Sequence, residues 1–402
     1  MIPYDSFSFF LWLLIPVIPA VILGIAQVSP KTRTLWLMHV SVIMLYFILQ
    51  PHIYLTQAVL YCIWEYLIVW TYAKYRSPEK SNRQARIFYA AVVLSLLPLL
   101  AVKFVPLLAP GLSLHASTQG QLAPIWNSTL GFLGISYVTF RIMGIIMEVR
   151  DGLIQTVSVP DFISFVLFFP TLAAGPIDRY RRFIADLRQT LTRQEYLVYM
   201  TEGIEYVFRG FLYKFIIAYL INQYALTKLG QTPGLWATVQ YMYVYSAYLF
   251  FDFAGYSAFA IGVSRFYGIK TPENFNLPFW AKNIKDFWNR WHISLSMWFR
   301  DYIYMRFVLD SAKKKRFTSR YVTSGVAYLL LFLLMGIWHG TQWKYIVYGL
   351  YMAALMIGFE FLDRLNKTKH FWGEGRAWDM LARFCTLQLT CFGLLIFSGR
   401  LF

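Results

Sequence analysis

Apolar runs close to twenty residues long recur along this chain, and short clusters of Lys and Arg separate them. Wound as a helix, such a run matches the roughly 30 Å hydrocarbon core of a bilayer. A segment in lipid must satisfy its backbone hydrogen bonds internally. The pattern therefore confines the chain to an all-α, polytopic integral membrane protein. Composition agrees, with 14% charged residues against about 25% in a soluble domain. A net charge of +17 could suggest a nucleic-acid partner. The cations instead lie between apolar runs, as in cytoplasmic loops, so the expected surroundings are a lipid bilayer and no nucleic acid.

Spans are read at Phe7–Gln27, Leu35–Leu49, Ile53–Tyr72 and Ile87–Val102. Asp5 precedes the first and Lys31 and Arg33 follow it, which puts the N-terminus outside the cell membrane. Met1-Ile-Pro-Tyr-Asp5 lacks the cationic start of a cleaved signal, so the first run is read as retained. A Gly/Pro/Ser-rich loop, Pro106 to Ser128, holds the sequon Asn127-Ser-Thr, which carries no weight. Gly131 to Arg141 is apolar but ends in an arginine, with Glu148 on the same helical face. Phe162–Gly175, broken by Pro170, is too short to span and reads as re-entrant or interfacial.

Basic residues fill Ile177 to Arg193. Glu195–Tyr224 is helical in period, with Glu205 and Arg209 spaced to pair. Leu235–Tyr267 is long, aromatic and expected to be interrupted by Asp252, Gly255 and Gly262. After the polar break Thr271–Pro278 come Phe287–Tyr304, the cluster Lys313–Arg316, spans Val322–Trp338 and Tyr345–Leu362, a basic loop, and a final apolar run to Phe402. Roughly ten to twelve spans are expected. They form a single domain, 1–402, divided into N-terminal spans (1–130), a core (131–345) and C-terminal spans (346–402). Cys62, Cys385 and Cys391 have no disulfide or metal spacing and read as small buried hydrophobes.

Two stretches are candidates for chemistry. Phe287-Trp-Asn-Arg-Trp-His-Ile-Ser-Leu-Ser-Met-Trp-Phe-Arg-Asp-Tyr-Ile-Tyr304 is aromatic and polar together, and Met335-Gly-Ile-Trp-His-Gly340 ends an apolar run on a histidine. So many polar groups are unfavourable against lipid, so the first stretch must face protein, a water-filled cavity or the interface. An aromatic anchor with incidental histidines fits the spacing equally well. Gly336 and Gly340 flank His339 at a spacing that lets another backbone approach. His39, His52, His115 and His370 read as satisfied or solvated. Asp252 and Glu65 are intramembrane acids, Glu65 read as structural. No metal-binding motif and no Ser- or Cys-nucleophile motif is present, which leaves His292 and His339 as acid–base groups. A lipid or acyl transporter without chemistry is the rival; an inverted repeat and paired intramembrane charges would favour it, and neither is evident in the sequence.

The Phe287–Tyr304 stretch with Trp338-His-Gly340, Gly134-Ile-Ser-Tyr-Val-Thr-Phe140 and Phe251-Asp-Phe-Ala-Gly-Tyr-Ser257 resembles the membrane-bound O-acyltransferase family. Phe169-Pro-Thr-Leu-Ala-Ala-Gly-Pro-Ile-Asp-Arg-Tyr-Arg-Arg-Phe183 is similar to the branch that transfers D-alanyl groups in Gram-positive teichoic acid modification of the cell wall. An O-acetyltransferase of an extracellular polysaccharide is the alternative within the family. The resemblance implies a funnel of helices around a buried histidine site, with His339 and His292 catalytic and a tunnel leading to them. Asn289, Arg290, Ser294, Asp252, Trp288 and Trp338 are tunnel or substrate candidates. It also implies no tightly bound cofactor. The donor would be a D-alanyl thioester on the phosphopantetheine of a small acidic carrier protein on the cytoplasmic side. The acceptor would be teichoic acid, with other membrane proteins of the pathway assisting. Met305, Val308 and Leu309 share a helical face beside Lys313, Lys314, Lys315 and Arg316, and that face is expected to dock the carrier.

Overall fold

A computed structural model describes residues 3–49, 53–77, 82–108 and 132–402. His52, His115, Gly131, the sequon at Asn127 and most of the Pro106–Ser128 loop lie outside the described residues. Among those described, the regular structure is helical, and extended pairing is limited to one isolated antiparallel bridge, Phe275 to Trp291. The chain divides into two compact units: Met1–Arg209 with Tyr256–Pro272, and Gly210–Gly255 with Glu273–Phe402.

The first unit holds α1 (Phe7–Ile25), α2 (Pro30–Ile48), α3 (Ile53–Tyr75), α4 (Asn82–Leu108), α5 (Ile135–Arg150), α6 (Val159–Val166), α7 (Tyr180–Arg188) and α8 (Arg193–Gly210). Leu11, Ile15, Ile18 and Ile22 of α1 are exposed, an outer apolar surface suited to lipid. The expected re-entrant segment is a short helix, α6, followed by one 3₁₀ turn, Phe169–Thr171. Such a break leaves main-chain carbonyls without partners, which is unfavourable away from water. Arg141 supplies them. Its buried guanidinium donates to the carbonyls of Phe165 at 3.0 Å, Val166 at 2.9 Å and Thr171 at 2.7 Å. Gly134 opens α5 at φ +93°, where a Cβ would stand 2.6 Å from the Leu172 carbonyl oxygen.

Helix α9 (Leu235–Phe266) contributes to both units, its part up to Gly255 to the second and the rest to the first. It is continuous, contrary to the interruptions expected at Asp252, Gly255 and Gly262. Asp252 accepts a hydrogen bond from Lys214 Nζ at 2.6 Å. A Cβ on Gly255 would lie 2.7 Å from the Lys214 backbone nitrogen, and one on Gly262 would lie 2.8 Å from the Gly203 carbonyl. The glycines are there for close helix contact, not for a break. Lys214–Asp252 and Arg265–Glu202 (2.9 Å) are paired charges that the sequence did not reveal.

Within the second unit Lys214 sits on a π-helical stretch, Phe211–Ala218. Then come α10 (Ile284–Trp288), α11 (Ile293–Phe299), a π turn at Arg300–Tyr304, α12 (Met305–Lys313), α13 (Arg320–His339), α14 (Trp343–Lys369) and α15 (Arg376–Ser398). Six described helices are long and apolar enough to cross a membrane: α1, α9, α13, α14, α15 and the Arg83–Val105 part of α4. Helices α2 and α3, of 19 and 23 residues, are comparable in length but less apolar. Two further readings are corrected. Glu205 and Arg209 form no ion pair among the described residues; Arg209 lies over the Tyr206 ring at 4.8 Å instead. Cys385 is exposed, since it falls on the outward face of α15, while Cys62 and Cys391 are buried.

Candidate active site

Local backbone chemistry places His292. The bridge between Phe275 and Trp291 is bracketed by two main-chain bonds, Asn276 N to Arg290 O at 3.0 Å and Ile293 N to Asn274 O at 2.9 Å. Asn283 caps α10 by accepting from Asp286 N at 2.8 Å, and Asp286 in turn holds Arg290 at 2.7 Å. The buried Asn274 accepts from Ser294 Oγ at 2.6 Å. Both neighbours of His292 are thus pinned by one strand-like segment. Between them His292 adopts φ +43°, a left-handed conformation uncommon for a side chain of this size. Strained residues of this kind persist only where the surroundings over-determine them.

The His292 ring is 5% exposed and stands edge-on to Phe253, with centroids 4.7 Å apart. Its Nδ1 has no hydrogen-bond partner among the described residues. Burial pushes its proton affinity down, and His339 pushes it further, to a pKa of about 3. The two imidazoles therefore share one electrostatic neighbourhood, and His292 is neutral at physiological pH.

His339 occupies the last turn of α13. Trp338 (4.6 Å), Phe397 (4.9 Å), Tyr345 (6.2 Å) and Tyr348 (6.3 Å) surround its ring. Helices α13 and α14 meet through glycine: a Cβ on Gly336 would be 2.4 Å from the Tyr345 carbonyl oxygen, and one on Gly349 2.4 Å from that of Phe332. Gly340 is equally confined, by the Tyr345 ring at 2.5 Å. The small residues around His339 do let a neighbour approach, and that neighbour is α14.

A cavity of about 250 Å³, which neither histidine lines, has walls that include Trp288, Asn289, Arg300, Met335 and Glu360. Trp288 Nε1 is buried without a hydrogen-bond partner among the described residues. Met305, at the start of α12, also lines this cavity.

The tunnel and substrate candidates separate into groups. Trp288 and Asn289 border the cavity, and Trp338 packs on His339. Arg290 and Ser294 are joined to Asp286 and Asn274 and shape the turn. Asp252 is engaged by Lys214. On α12, Met305 and Leu309 are exposed and Val308 is half-buried. Lys313, Lys314, Lys315 and Arg316 are exposed, but Asp310 binds Lys314 at 3.1 Å and Arg316 at 2.6 Å, leaving Lys313 and Lys315 as the ions without a carboxylate partner among the described residues. Asn274, Phe253 and Phe397 were not singled out from the sequence. Asn274 lay within the recognised polar break, and Phe253 within the Phe251–Ser257 motif; nothing local marked Phe397.

Comparison with known proteins covers this whole region. The model of the membrane-bound O-acyltransferase family matches residues 137–394. The teichoic acid D-alanyltransferase of Bacillus subtilis (strain 168) is 45% identical over 407 residues, covering 100% of this chain and 99% of the relative. The protein of that name from Lacticaseibacillus rhamnosus is 42% identical, covering 99% and 97%. A probable alginate O-acetylase of Azotobacter vinelandii is 35% identical over 223 residues, 54% of this chain and 42% of the relative.

Proposed function

The chain belongs to the membrane-bound O-acyltransferase family, and from that premise we propose that it is the teichoic acid D-alanyltransferase of a Gram-positive cell membrane. It is a multi-pass membrane acyltransferase. The observation that carries the finer reading is full-length identity of 45% to a protein of that activity, whereas similarity to an alginate acetylase covers only 54% of the chain.

On this reading the donor is a D-alanyl thioester on the phosphopantetheine of a small acidic carrier. An activated acyl group needs little beyond a base, placement and stabilisation of developing charge. His339 is assigned as the base. It takes the proton of the acceptor hydroxyl as that oxygen attacks the thioester carbonyl. The new C–O bond forms, the C–S bond breaks, and the proton returns to the departing thiolate. A neutral His292 orients or polarises the acyl group through a ring nitrogen; its pKa of about 3 argues against a cationic role. The cavity suits a slender arm with amide groups, because its walls are largely apolar and Trp288 Nε1 offers one uncommitted donor. Met305 lines that cavity and is exposed on α12, which supports the carrier docking there, with Lys313 and Lys315 steering it. The carrier side is assigned to the cytoplasm and the N-terminus to the exterior, following the cationic loops.

The test is His339→Ala. Transfer of D-alanine from charged carrier should fall by at least about a hundredfold, with membrane expression and carrier binding retained. Full transfer by the variant would show that the base lies elsewhere.

A further inference from the structure

A second concavity, of about 410 Å³, lies on α13 and α14, away from the histidines. Tyr321, Gly325 and Leu329 line one side, and Ile357, Phe361 and Arg364 the other. Tyr321 to Leu329 is two helical turns, roughly 12 Å. The groove is open because Gly325 has no side chain: a Cβ there would first meet Ile357 at 3.8 Å. Leu329, Ile357 and Phe361 are exposed along it.

One end is cationic. The Arg364 guanidinium lies 4.3 Å from the Tyr321 ring centroid and that of Arg320 lies 5.0 Å from it. Arg320 also donates to Tyr321 OH at 3.0 Å. Neither arginine has a carboxylate partner among the described residues, whereas neighbouring Lys367 is held by Asp363 at 2.6 Å. Glu360 lines the groove too, but its oxygens accept from Ser324 Oγ at 2.7 Å and Tyr328 OH at 3.1 Å. Two like charges gathered on one ring repel each other, and the carboxylate that lines the groove is committed to neutral donors.

We propose that this groove is a binding site for an anionic phospholipid, with the phosphate at Arg320 and Arg364 and one acyl chain along Gly325, Leu329, Ile357 and Phe361. A soluble anion would explain the arginines but leave the apolar groove unfilled. A neutral lipid would fill the groove and leave the charges uncompensated. Basic pockets between membrane helices at the cationic face recognise anionic headgroups in this way. Glu360 borders both this groove and the inner cavity, so an occupant would rest against a wall of that cavity. The proposal stands independently of the acyl group transferred.

The experiment uses the full chain in detergent, titrated with phosphatidylglycerol or phosphatidylcholine, with bound lipid counted by native mass spectrometry. Phosphatidylglycerol should bind preferentially, and Arg320→Gln with Arg364→Gln should weaken it roughly thirtyfold. Gly325→Leu should block the groove and abolish binding with both arginines present. Arg364→Lys, a milder change should the double variant fold poorly, should retain most of the preference. Equal affinity for the two lipids, undiminished phosphatidylglycerol binding in the double variant or in Gly325→Leu, or displacement by equimolar inorganic phosphate would each overturn the proposal.

Discussion

Gly336→Ala and Gly325→Ala make the same chemical change on the same helix and should act with opposite sign. Exchanging Gly for Ala within a helix favours the folded state by about 1 kcal/mol. At Gly325 nothing opposes that gain, since the new methyl would meet Ile357 at 3.8 Å, an ordinary contact. At Gly336 the methyl would stand 2.4 Å from a backbone oxygen, that of Tyr345, which cannot rotate aside. Restoring an ordinary separation requires α14 to withdraw by about 1 Å, and overpacking of this kind costs about 1–3 kcal/mol. The net cost at Gly336 is up to about 2 kcal/mol, so Gly325→Ala should raise the thermal midpoint slightly and Gly336→Ala should lower it by up to about 2 °C. The same displacement draws Tyr345 and Tyr348 away from His339, and misplacement of about 1 Å can reduce a rate on the order of a hundredfold. Midpoints of the detergent-solubilised proteins, with acyl transfer measured well below them, provide the assay. If Gly336→Ala were as stable and as active as Gly325→Ala, the close helix contact could not be what positions His339.

Three further outcomes are expected. Val308→Asp, on the half-buried side of the α12 face, should weaken carrier binding at least about tenfold with expression unchanged; undiminished binding in a pull-down would remove α12 from the docking surface. His292 has a folded pKa near 3, below the unfolded value of about 6.5. Its neutral burial thus contributes stability that is present above pH 6.5 and lost as pH falls toward 3. His292→Asn should flatten the fall of the thermal midpoint with acid over that window, and identical slopes would show that His292 does not titrate there. Asp252→Leu alone should destabilise by about 1–3 kcal/mol, because the mostly buried Lys214 loses that carboxylate, whereas adding Lys214→Met should recover much of the loss in thermal midpoint.

Hydropathy and charge made the membrane class legible, since an apolar run with cationic flanks has few alternatives in lipid. The same reasoning did not sort the spans by apolar content, which six described helices combine with sufficient length. The broken run Phe162–Gly175, too short to span, is shaped by a partner on another helix. Arg141 illustrates the difficulty. Read locally it spoils a membrane helix; in the structure its guanidinium satisfies carbonyls that a broken segment exposes at Phe165, Val166 and Thr171. Gly255 and Gly262 misled for a related reason. Glycine weakens a helix by about 1 kcal/mol in isolation, yet at a helix crossing its missing side chain is what permits the contact.

The candidate histidines stood out in the sequence, and what supports them did not. An aromatic, polar stretch that fits no lipid-facing helix marked His292 as unusual, and the glycines around it marked His339. What holds His292 comes from Asn274 and Asn276, an earlier segment whose polar residues resemble any loop. That segment acts through backbone amides and carbonyls, and main-chain bonds carry no sequence code of their own. A left-handed φ is likewise invisible when the residue is histidine and not glycine. Replacing Asn274 would remove the acceptor for Ser294 Oγ while leaving the main-chain bonds to Ile293 and Arg290 intact. The turn would then persist, and His292 would be held less firmly within it. Residues of this kind position the imidazole through the backbone turn that carries it, which is why motif reasoning finds the imidazole first and its anchor last.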